Sequence, residues 1–132
     1  MAQTSKRKLE KSIEEGVSDL FLKGVSELSG QTESAFFFQD ILSSTERTII
    51  SKRLTVAFML LKGYDQRTIA KVLNVSTPTV WRMNEKLKAK GSGVKMFFGR
   101  LEKDPQWAQF LGRFEATIDH VTITLGTKKK RK

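Results

Sequence analysis

Cations and hydroxyls, rather than the usual catalytic side chains, carry whatever chemistry this chain performs. Its 132 residues include no Cys and a single His, at position 120. Without Cys there is no thiolate nucleophile, no disulfide framework and no thiolate zinc site. His120 stands beside Asp119, but adjacent residues on a helix do not face one way, so they make no catalytic pair. No residue set meets the geometry of an active site, and the chain reads as a non-enzyme without cofactor or metal. What it has in excess is positive charge: 24 Lys and Arg against 14 Asp and Glu, a formal +10. That excess sits in two islands. Residues 61–90 hold seven basic and two acidic side chains, and 121–132 hold five basic and none acidic, while the other stretches balance. Two basic islands in a neutral chain point to a polyanion, nucleic acid first. An anionic membrane surface is the main rival.

The first island is organised. Two short helices crossing at a wide angle need particular apolar positions between them. Counted from Gln66, these are the fourth, eighth, tenth, fifteenth and eighteenth, occupied by Ile69, Leu73, Val75, Val80 and Met83. The fifth position must be small where the second helix passes over it, and it is Ala70. Asn74 suits the φ > 0 of the turn. Asp65 and Ser76 suit the two helix N-caps, and Pro78 falls in a first turn, where its missing N–H costs little. Together these positions spell a helix-turn-helix. In that motif the second helix enters the DNA major groove, which places Ser76, Thr77, Pro78, Thr79, Trp81, Arg82 and Lys86 at or near the DNA. Glu85 points the same way, and Lys88 and Lys90 continue the basic surface. Gln66, Arg67 and Lys71 on the first helix are set to reach phosphates, which fix register without reading sequence. Arg82 matches the O6/N7 edge of guanine. Trp81 has two readings: exposed beside the groove, or packed on a neighbouring helix.

The elements around the motif are helical throughout. Leu9, Ile13, Val17, Leu20, Phe21 and Leu28 recur at helical spacing, with Gly30 expected to close that segment. A short second segment, 31–42, carries Phe36-Phe37-Phe38. Three consecutive rings point about 100° apart, so either a second chain covers some of them or the helix is enclosed on several sides. Ser43 and Glu46 have capping-box spacing and open a helix expected to run to Lys62, with Gly63 as its stop. Its second half, Val56 to Leu61, is apolar nearly all round, as in a domain centre or a dimer. Val94, Phe97, Phe98 and Leu101 mark a further helix. Asp104-Pro105 then starts the most regular amphipathic one, with Trp107, Phe110, Leu111, Phe114, Ile118 and Val121. Val121 to Leu125 alternates like a strand yet also fits a helix extension. The expected organisation is all-α: one domain over 1–127, with the helix-turn-helix at about 65–90, and a basic tail, 128–132, disordered by self-repulsion.

The segment 42–63, LSSTERTIISKRLTVAFMLLKG, followed by 65–88, DQRTIAKVLNVSTPTVWRMNEKLK, resembles the Trp repressor superfamily. After Gly63 the loop is similar to that of its shorter branch rather than of the tryptophan-responsive repressor. The resemblance implies an all-α, intertwined homodimer that shares helices between chains. It also implies an effector pocket, in which Arg53 and Arg82 stand at the positions of two arginines that sandwich an indole. Ser43 and Thr79 stand at the positions of assisting hydroxyls. Two departures speak against tryptophan there: Met83 replaces a Gly and fills the ring's space, and Lys86 replaces a Ser where the ligand's ammonium is accepted.

The leading expectation is therefore a cytoplasmic, nucleoid-associated transcriptional regulator that binds double-stranded DNA as a homodimer, without tryptophan as co-repressor. No apolar run approaches the roughly 20 residues of a membrane span. Two other readings share the motif: a DNA-docking subunit of a mobile-element or other nucleoprotein complex, and a non-specific polyanion-binding protein.

Overall fold

A computed structural model describes residues 7–126, which form seven α-helices and no strand. They are α1 (Lys11–Val25), α2 (Gly30–Ile41), α3 (Ser44–Leu61), α4 (Gln66–Leu73), α5 (Thr77–Ala89), α6 (Ser92–Lys103) and α7 (Pro105–Thr124). The all-α expectation holds. The basic tail, 128–132, lies outside the described residues. Between Ile49 and Ile50 the chain divides into two compact units, and α3 starts in the first and finishes in the second.

The first unit contains α1, α2 and the opening of α3. Neither α1 nor α2 has a buried residue. α1 stops at Val25, and Gly30 does not close it but opens α2, with φ at 78°. A turn over 26–29 separates the helices, and the Ser29 N–H donates to Glu33 Oε1 at 2.6 Å. Phe37 and Phe38 meet edge to face at 5.0 Å, while Phe36 is 67% exposed. The capping box of α3 forms in both directions: Glu46 N–H donates to Ser43 Oγ (3.1 Å) and Ser43 N–H to Glu46 Oε1 (2.9 Å).

The second unit holds the core. Val56, Ala57, Phe58 and Met59 of α3 are buried, as the all-round apolar pattern requires. α3 ends as Gly63 anticipates: its φ is 90°, its N–H bonds Leu60 O, and the Tyr64 N–H reaches back to Met59 O. Those two bonds are a Schellman stop. Phe58 then faces Phe98 of α6 (5.4 Å between centroids) and Phe114 of α7 (5.9 Å). Leu111 and Ile118 bring α7 into the same cluster as Ile69 and Val80. α7 packs on both α6 and α4. In the alternating stretch 121–125, residues 121–124 continue α7 and Leu125 is its C-cap, instead of forming a strand. There Thr122 Oγ1 donates to Ile118 O (2.7 Å) and Thr124 Oγ1 to His120 O (3.1 Å), so the β-branched hydroxyls are satisfied within the helix.

Candidate nucleic-acid interface

The helix-turn-helix is built by its caps and its small apolar seam. Asp65 Oδ1 accepts the Thr68 N–H at 2.8 Å and starts α4. Asn74 ends it in the left-handed region (φ 54°), where Asn is among the few residues tolerated, and Val75 N–H returns to Ala70 O. Ser76 Oγ accepts the Thr79 N–H at 3.2 Å and lies 2.7 Å from Thr79 Oγ1, with Pro78 in the first turn of α5. In the seam Ile69 and Val80 are fully buried, and Leu73, Val75, Met83 and Ala70 pack against them half-buried.

Burying that seam leaves the opposite face of α5 to solvent. Thr77, Pro78, Trp81, Arg82, Glu85 and Lys86 are all exposed, and Thr79 is half-buried beside them. Trp81 is 55% exposed, so of its two readings the structure adopts the open one. On α4, Arg67 and Lys71 are exposed one turn apart, and Gln66 is half-buried. Like charges at that spacing repel in isolation, and an anion between them removes the penalty. Glu85 is the acid on this face, and its carboxylate lies 3.8 Å from Lys88.

Between α3 and α5 lies an open cleft of about 260 Å³, lined by Arg53, Val56, Thr79, Arg82, Met83 and Lys86. Three of the four residues expected around an effector are thus together. The fourth, Ser43, belongs to the first unit, where its hydroxyl caps α3. Met83 and Lys86, the two departures, both line the cleft, and no acidic side chain does.

Two supporting contacts escape sequence reading. Lys52 Nζ on α3 donates to Asn74 O at the turn, 3.3 Å away. Tyr64, only 3% exposed, donates its hydroxyl proton to Asp119 Oδ1 of α7 at 2.6 Å. Burial, then the bond to Asp119, pushes the Tyr64 hydroxyl well above its ordinary range, so it stays a donor. These partners are 22 and 55 residues apart, beyond any local pattern. Asp119 is therefore half-buried under Tyr64 while His120 is exposed, and the adjacent pair faces different ways.

Among the described residues no group of His, Cys, Asp or Glu could hold a metal ion, and no helix is long and apolar enough to cross a membrane. No curated protein and no solved structure matches the chain. A family model described as Trp repressor protein does match, over residues 17–102, which take in most of α1, all of α2 to α5 and nearly all of α6. That family is one of helix-turn-helix DNA-binding regulators rather than enzymes, and with more than half of its length matched the chain belongs to the Trp repressor family.

Proposed function

We propose that this protein is a sequence-specific transcriptional regulator that reads DNA with α5 as a homodimer and without tryptophan as co-repressor. The observation that carries the reading is the exposed face of α5, where Thr77, Pro78, Trp81, Arg82 and Lys86 stand on a helix fixed by its cap and its buried seam. Arg82 is the specific reader, its guanidinium pairing with a guanine edge, and Trp81 lies against thymine methyls or sugars. Arg67 and Lys71, with Gln66, hold phosphates and set the register. The basic tail adds contacts that are independent of sequence and steeply salt-dependent.

Homodimerisation is supported by the apolar surface of the first unit. Leu20 is 78% exposed, and Ile13, Val17, Phe21 and Phe36 are each more than half exposed. A second copy of the same surface is the simplest cover, and it gives the two recognition helices two-fold symmetry. Exclusion of tryptophan is supported by the cleft, where Met83 takes up the ring's space and Lys86 presents a cation to a ligand that would bring an ammonium.

Selection from a random duplex pool at about 0.15 M salt tests this, since long-range surface attraction is then largely screened. Protein lacking residues 128–132 keeps the tail from dominating. The expected result is a two-fold symmetric motif with half-sites about 34–36 Å apart. An unenriched pool would leave a polyanion binder and sink the specific reading.

A further inference from the structure

Helix α7 begins at Pro105, beyond the matched residues 17–102, yet it is part of the same core as the helix-turn-helix. Its contact with α4 joins it to the phosphate-facing half of the motif. Leu111, Ile118 and Thr122 are its buried side. A polar bond from Tyr64 to Asp119 supplements that apolar packing, and Tyr64 occupies a particular place. Its backbone N–H finishes α3 on Met59 O, and the next residue, Asp65, caps α4 with both its side chain and its carbonyl. The residues after that cap are Gln66 and Arg67.

We propose that α7 is a brace for the DNA-reading head and that Tyr64 is a positioning residue, holding the start of α4 against Asp119 so that Gln66 and Arg67 meet the phosphate backbone. The proposal rests on the DNA-binding reading above. Within it, the ring of Tyr64 fills the core and fixes where the four-residue link between α3 and α4 passes. The hydroxyl fixes the ring's far end to α7. Without that bond the ring still fills its place, but the α4 N-terminus loses a side-chain tether to the brace. The phosphate contacts made from the first turn of α4 are then the ones to loosen, while base reading by α5 is kept by its own cap at Ser76.

The test uses the full chain on its selected duplex, with binding measured across a salt series. Tyr64→Phe keeps the ring and removes the donor, Asp119→Leu removes the acceptor, and Asp119→Asn keeps an acceptor oxygen. Tyr64→Phe and Asp119→Leu should each weaken binding by about fivefold, the size of one typical hydrogen bond. They should also lower the slope of log K against log salt by about one, the loss of a single phosphate contact. Base preference should be unchanged, and Asp119→Asn should keep both affinity and slope. Weaker binding with an unchanged slope and a lower melting temperature would mark Tyr64 as merely structural and overturn the proposal. So would wild-type behaviour in a folded Tyr64→Phe, which does not depend on the Leu variant folding. A wild-type protein that binds no duplex at any salt concentration would instead overturn the DNA-binding reading, and the brace with it.

Discussion

Every buried side chain among the described residues lies in the second unit, and none lies in the first. Both units are mostly helical, so helix formation and core formation part company in this molecule. In the second unit α4, only eight residues long, is held by Ile69 and Thr68, each at most 1% exposed, and by caps at both ends. In the first unit α1 is fifteen residues long and buries nothing. A free helix of that length is marginal in water. Its apolar positions are nonetheless patterned, with Ile13, Val17, Leu20 and Phe21 at helical spacing. Pattern without burial is what a helix shows when its packing partner is another molecule, and in the proposed reading the difference separates a reading head from an association surface.

The sharpest way to break that division is to truncate Phe21, which is 52% exposed. In a homodimer the Phe21→Ala variant loses the burial of the still exposed half of one side chain in each copy, about 0.8–1.5 kcal/mol per copy. The dimer should then dissociate at concentrations about tenfold to a hundredfold higher than the wild type does, read by sedimentation over a dilution series. A wild-type chain that is monomeric at tens of micromolar and indifferent to Phe21→Ala would show that the exposed face does not associate.

What the sequence made legible follows the same division. Five seam positions, three N-caps at Asp65, Ser76 and Asp104, the Asn74 turn and the Gly63 stop are all local patterns, and local geometry realises them. Gly30 was harder to place because φ > 0 suits both the end of one helix and the entry to another, and here it enters α2. The stretch 121–125 has strand-like alternation, but burial of Thr122 and its bond to Ile118 O settle it as helix. Lys52 to Asn74 and Tyr64 to Asp119 could not be read at all, since they depend on helices meeting in space.

Two glycines with positive φ extend the comparison at smaller scale. A Cβ at Gly91 (φ 67°) would stand 2.8 Å from Leu87 Cα and 2.9 Å from Leu87 O, backbone atoms that cannot swing aside. At Gly30 (φ 78°) a Cβ meets nothing within 4 Å. Both alanines incur the left-handed cost, about 1–2 kcal/mol. Gly91→Ala adds a clash inside the packed unit and should exceed it by about another 1–3 kcal/mol. Chemical denaturation of the two variants side by side measures the gap. Equal losses would mean that the second unit is no more tightly packed at this joint than the first.

The smallest effect concerns what orders the first unit where burial does not. Its capping box is local, and the Glu46 carboxyl is held below the usual carboxylate range mainly by the Ser43 backbone N–H, against some desolvation. A depressed folded pKa means that the folded state holds fewer protons than the unfolded one. The stabilisation is therefore full above the ordinary pKa of 4.5 and is lost as pH falls through the lower folded value. Melting temperature should consequently fall between about pH 5 and pH 3 more steeply for the wild type than for Glu46→Gln, whose amide does not titrate there. The difference should be slight, because an exposed carboxylate is well screened by water. If the two acid limbs coincide, the box forms without stabilising α3.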